Sequence, residues 1–159
     1  MSPDTRAVER LQFLVRVVRK ECMHSQSTDQ RLFTAPFTSE TASRLDADPE
    51  LAERVEAFAS RFGRLRDTLG DKLLPLLLRV PGEKPAAAID NLDLAERFGL
   101  LQSAEEWMAM RRIRNQMVHE YIEDPEILSS ALLTAHAFIP ALIGTANALI
   151  GEAERRGRV

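Results

Sequence analysis

The sequence predicts an all-α fold: an up-and-down bundle of four or five helices forming one domain over residues 1–159. Three observations carry that expectation. Apolar residues recur at helical spacing through most of the chain, and no stretch alternates with the period of two that a half-buried strand requires. Leucine and alanine dominate over the β-branched residues, and there are only 7 glycines. Helix-start chemistry recurs at Asp48-Pro49-Glu50, Ser103-Ala104-Glu105-Glu106 and Asp124-Pro125-Glu126.

In chain order, a first helix is expected from about Pro3 to Met23, with Val8, Leu11, Leu14, Val15 and Val18 on its apolar face. The polar run His24–Arg31 reads as a loop, followed by a short irregular piece at Leu32–Phe37. A second long helix starts at the Asp48 cap, with Leu51, Val55, Phe58, Phe62, Leu65 and Leu69 at the 3.6-residue period. It is expected to continue to Leu78 with a disturbance at Pro75, and Val80-Pro81-Gly82 then turns the chain. A shorter helix spans Ala86–Phe98, with Gly99 as its C′ residue. The capping box at Ser103 opens a helix carrying Trp107, Met110, Ile113, Met117 and Tyr121. Asp124 opens the last helix, which reaches about Glu154 and bends at Pro140. Residues 155–159 read as a frayed basic tail. Short connections favour antiparallel neighbours in a bundle.

Composition narrows the function classes. Apolar residues make up 45% of the chain and charged residues 28%, which is globular rather than disordered. A formal net charge of −3 argues against non-specific coating of nucleic acid, which needs many phosphate contacts, but permits a local basic cleft. MSPDTRAVER is charged and has no apolar core, so no signal peptide is expected, and no uninterrupted apolar run suggests a membrane span. With Cys22 alone, no internal disulfide can form, and a reducing cytoplasm is the expected location. No His-x-x-x-His or Cys-x-x-Cys pair is present, so neither a metal site nor a cofactor is expected. Glu21 and His24 supply at most two ligands. His24 reads as a helix-end histidine and His136 as a satisfied buried one.

The densest polar cluster within a helical pattern is Arg111-Arg112-Ile113-Arg114-Asn115-Gln116-Met117-Val118-His119-Glu120-Tyr121. At about 100° per residue, Arg112, Asn115 or Gln116, and His119 share one stripe, and Arg114 shares another with Tyr121. Arg114 and His119, about 140° apart, do not readily converge from one helix, whereas two copies across a twofold axis can bring them into one cleft. The residue types suit phosphodiester chemistry. Histidine moves protons near neutral pH, arginine presents a planar fork to phosphate, and asparagine can orient either. RNA supplies its own nucleophile, the 2′-hydroxyl. Taken singly, each residue has a plainer reading: Arg111 and Arg112 as a solvated face, His119 as a surface histidine, Tyr121 as a packed aromatic. A second basic set, Arg61, Arg64 and Arg66 with Arg16, Arg19 and Lys20, reads either as an RNA channel or as a mixed-charge surface.

Arg114-x4-His119-x-Tyr121, with Asn115 after the arginine, resembles the Arg-x4-His-x-Tyr signature of the HEPN superfamily, in particular the HepT-type toxins paired with minimal nucleotidyltransferase antitoxins. Phe58-x3-Phe62-Gly63-Arg64-Leu65-x-Asp67-x2-Gly70-Asp71-Lys72 and Ala104-Glu105-Glu106-Trp107 extend the likeness to most of the chain, from about Val8 to Leu149. The resemblance implies a homodimeric, metal-independent endoribonuclease, acting on tRNA or mRNA as the toxin of a toxin–antitoxin pair. Arg114, His119 and Asn115 would be catalytic, Arg111 and Arg112 would bind RNA, and a nucleotidyltransferase antitoxin would silence the site by transferring AMP to Tyr121. The same bundle also serves a second reading, a non-catalytic subunit that binds nucleotide or substrate for a nucleotidyltransferase. Glu120, between His119 and Tyr121, weighs toward that alternative.

Overall fold

The computed structural model describes residues 3–79, 82, 84–119 and 124–159, and among these the chain is a helical bundle without strands. α1 spans Pro3–Leu32, α2 Ser39–Ser43, α3 Pro49–Asp67, α4 Leu74–Leu78, α5 Ala88–Arg97, α6 Ala104–His119 and α7 Pro125–Arg155. A 3₁₀ turn, Leu45–Ala47, precedes α3, and a π-helical segment, Thr68–Leu73, joins α3 to α4.

α1 runs through the segment expected to be a loop. Leu11, Val18, Ser25 and Leu32 are all buried at seven-residue intervals, so the inward stripe persists although its third member is polar. Its hydroxyls are satisfied without leaving the helix. Thr28 Oγ1 donates to the His24 carbonyl (2.9 Å), and Ser25 Oγ donates to the Arg61 carbonyl of α3 (3.2 Å). Arg61 returns hydrogen bonds to the His24 carbonyl and to Thr28 Oγ1. His24 therefore lies inside α1, not at its end.

The anticipated N-cap acceptors are present, although at Ser103 only one half of the expected capping box forms, with no return bond from the Glu106 side chain among the described residues. Asp48 Oδ1 accepts from the Leu51 amide at 3.1 Å, Ser103 Oγ from the Glu106 amide at 3.1 Å, and Asp124 Oδ1 from the Glu126 amide at 2.9 Å. Gly99, at φ +74°, ends α5 in the left-handed conformation anticipated there. α2 was not anticipated. Its reciprocal cap uses Thr41 where the usual signature has Glu or Gln, with Thr38 and Thr41 each accepting the other's amide at 3.2 Å. The disturbance expected at Pro75 lies one turn earlier, in the π segment. Proline offers no amide to the carbonyl four residues back and crowds it, and the wider turn absorbs the mismatch. Val80 and Pro81 of the expected turn fall outside the described residues.

α7 packs against α1, α2, α3, α4 and α6, with Leu132, Ala135, Leu142, Ala146, Leu149 and Ala153 among its most buried residues. By length and composition it could cross a membrane, contrary to the expectation that no segment could. It packs on five neighbouring helices, and 39% of its most apolar stretch is buried. The helix continues through Pro140. Beyond it, Arg156 reaches the Leu77 carbonyl at 2.7 Å, and the Arg158 carbonyl accepts from Gln12 Nε2.

Candidate functional site

α6 is held by one face. Trp107, Met110 and Met117 are buried, Ile113 is half-buried, and the helix packs on α3, α5 and α7. Two glycines, Gly63 in α3 and Gly70 in the π segment, let it approach closely. A Cβ on Gly63 would lie 2.8 Å from Arg114 Cγ and 3.0 Å from its Nε, and a Cβ on Gly70 would lie 2.7 Å from Trp107 Nε1. Arg66 completes the seat. It is buried, donates to the Trp107 carbonyl from Nε (3.4 Å) and Nη2 (3.3 Å), and stands 5.6 Å from the Trp107 ring centroid. Arg66 is thus a packing residue and cannot line an RNA channel. Arg61 is committed to α1, Arg64 is exposed beside Ser60, and Arg19 pairs with Glu154 at 2.7 Å. Of the second basic set, Arg16, Lys20 and Arg64 remain exposed, while Arg66 is buried and Arg61 and Arg19 are engaged by α1 and Glu154.

The opposite face of α6 is open. Arg111, Arg112, Asn115, Gln116 and His119 are exposed, flanked by the apolar Met108 and Val118. Arg114 sits at the edge between the two faces. Its stem lies over Gly63, and its Nη1 donates to Asn115 Oδ1 at 3.3 Å. Arg112, Asn115 and His119 share that face, as the helical spacing requires. None of Arg111, Arg112 and Arg114 has a carboxylate partner among the described residues. Three guanidiniums on one helix with no carboxylate partner among the described residues suit a phosphate-bearing ligand. Tyr121 and Glu120 lie outside the described residues.

Away from this face, His136 is neither buried nor free. Its side chain is 44% exposed, Nδ1 is 2.6 Å from Asp29 Oδ1, and the ring stacks on Phe33 at 4.2 Å. Sequence reasoning gave Glu21 no role beyond a weak metal pairing with His24. Among the described residues no group of three or more candidate ligands could hold a metal. Glu21 instead accepts a hydrogen bond from Thr68 Oγ1 at 3.1 Å, while its Oε2 is buried without a partner. Burial pushes its pKa above the usual carboxylate value, against the opposing pull of Thr68, Arg64 and Lys72. Burial, aided by Glu21, pushes the neighbouring Cys22 thiol up to about 11. The glycine contacts had a sequence signal, since glycine inside a helical pattern is costly and marks a close approach.

Compared with protein-family models, curated proteins and solved structures, the chain finds no match.

Proposed function

We propose that the open face of α6 carries the centre of a HEPN-type, metal-independent endoribonuclease, a cytoplasmic toxin silenced by a nucleotidyltransferase antitoxin. The observation that carries this reading is Arg114, seated over Gly63, bonded to Asn115 and free of any described carboxylate, on the same helix as His119. In the mechanism, two copies pair about a twofold axis, so that Arg114 of one and His119 of the other act on one phosphodiester. His119 takes the proton from the RNA 2′-hydroxyl, and O2′ attacks phosphorus. The P–O5′ bond breaks, leaving a 2′,3′-cyclic phosphate and a 5′-hydroxyl once the leaving oxygen is protonated. Arg114 neutralises the charge that builds on the non-bridging oxygens, with Asn115 holding its orientation. Arg111 and Arg112 bind the flanking backbone, and Met108 and Val118 supply apolar area to the pairing.

Silencing follows from charge and bulk. The antitoxin joins the α-phosphate of ATP to the Tyr121 hydroxyl, releasing pyrophosphate, and the added AMP repels the RNA backbone. The test is the intact mass of the protein produced with and without the nucleotidyltransferase, with peptide mapping. The reading expects AMP additions at Tyr121 only on co-expression, and growth arrest only without the partner. An unshifted mass together with harmless expression alone would overturn it in favour of the non-catalytic binding subunit.

A further inference from the structure

Glu21 Oε2 is the one buried side-chain nitrogen or oxygen among the described residues without a hydrogen-bond partner. Its sister oxygen, Oε1, accepts from Thr68 Oγ1 at 3.1 Å, and Thr68 is the buried first residue of the π segment. The carboxyl therefore reaches from α1 to the point where the long helix leaves α geometry. A buried charged oxygen without a donor is far more costly than a neutral carboxylic acid in the same place, so burial favours the protonated form. A π turn carries one residue more than an α turn, so shifting that residue along the chain re-registers the side chains around it.

The groups around Glu21 define what its ionisation does. On its own helix, Cys22 stays a thiol across the neutral range, its pKa pushed up to about 11, and His24 is exposed one turn on. From α3 and the π segment, Arg64 and Lys72 stand one turn either side of Thr68. Both are exposed, and both pull the carboxyl toward its charged form. Asp67 is held by Arg66, and Asp71 is exposed. α4 carries no titratable residue. On α7, Glu152 pairs with Arg155 and Arg156, Glu154 pairs with Arg19, and His136 is held by Asp29, further along α1.

We propose that Glu21 and the π segment form a proton-operated latch that sets how α6 is seated. With Glu21 protonated, Thr68 docks the π segment on α1 in the arrangement seen. When the proton leaves to water, the buried charge requires a donor. Lys72 then turns in to Oε2, and the π segment re-registers to bring it there. Lys72 is favoured over Arg64 because it belongs to the segment that can shift, whereas Arg64 lies in regular α3 and donates to Ser60 Oγ at 3.3 Å. Gly70 lies in the same segment, and a Cβ on it would stand 2.7 Å from Trp107 Nε1, so re-registration is felt at the buried ring that anchors α6. The latch does not depend on what the open face of α6 does, so it stands or falls separately from the ribonuclease reading.

Trp107 is the only tryptophan, so its emission reports on the Gly70 contact. The test is a reversible titration of that emission in the full chain between about pH 4 and pH 8. Hydrogen exchange of residues 64–73, corrected for the chemical rate, reads the backbone in parallel. The parent is expected to show one transition, centred above the ordinary carboxylate value of 4.5, with exchange in the segment changing across the same midpoint. Glu21→Gln should lose the transition in both readouts. It leaves all three histidines in place, so that loss assigns the proton to Glu21. Lys72→Met should move the midpoint to higher pH, because the ionised form loses its partner. Four results would overturn the proposal: no transition in the parent, a transition that survives in Glu21→Gln, a midpoint that Lys72→Met leaves in place, or an emission change with exchange of the segment unaltered, which is a field acting on the ring and not a movement.

Discussion

Arg114 owes its position to a side chain that is missing from its neighbour. Gly63 sits inside α3, where alanine would gain up to about 1 kcal/mol of helix propensity, yet a Cβ there meets the Arg114 stem at 2.8 Å. Arg114 is exposed and flexible, so it can move aside. Gly63→Ala should therefore leave the urea midpoint close to the parent's while lowering RNA cleavage about tenfold or more, because the guanidinium no longer lies against Asn115. A variant that cleaved normally would show that the seat does not matter. Glu21 presents the opposite situation, a carboxylate the fold accommodates poorly. Burial raises its pKa, so the folded state favours the protonated form. Its contribution to stability is present below the ordinary carboxylate pKa and is lost as pH rises through the raised folded value. Glu21→Gln should thus raise the melting temperature at pH 7 and give progressively less advantage toward pH 4. A variant destabilised at neutral pH would instead assign Glu21 a favourable charge interaction. The motif residues could be picked out from sequence because their types and spacing are local. Arg66 could not, since nothing in Arg64-Leu65-Arg66 tells which arginine turns inward under the Trp107 carbonyl.

At the scale of elements, the start signals were the most legible, because a cap is chemistry between residues two or three apart. Asp48, Ser103 and Asp124 all accept the amides their positions implied. The C-terminal part of α1 was not legible. Ser25, Thr28 and Asp29 look like loop residues until the Arg61 carbonyl and guanidinium of α3 and His136 of α7 are placed beside them. Proline at position 75 indicated a disturbance, but not that a π turn would absorb it. That turn carries Gly70 to the rigid, buried Trp107 ring, so this close approach fixes the register of α6 on its neighbour. Gly70→Ala has no flexible side chain to displace. It should lower stability by about 1–3 kcal/mol, read as a lower urea midpoint with an unchanged slope. If Gly70→Ala proved as harmless as Gly63→Ala, α6 would not be seated at Trp107.

The whole molecule places α7 within its core and exposes one face of α6, where cations and the apolar Met108 and Val118 lie together. The all-helical class was legible from periodicity alone. The pairing of two copies was argued from the angle between Arg114 and His119, and it is the step on which the proposed chemistry turns. The most direct test is complementation between two inactive variants. Arg114→Ala and His119→Ala are purified, checked by light scattering and melting temperature, and assayed for RNA cleavage in the presence of a chelator, separately and after mixing under conditions that exchange subunits. The account predicts two folded, dimeric, silent variants whose equimolar mixture recovers about a quarter of the parent activity, since half the pairs are mixed and each mixed pair keeps one intact site. A parent that cleaves no RNA, a single variant that remains active, or a mixture that stays silent would contradict it.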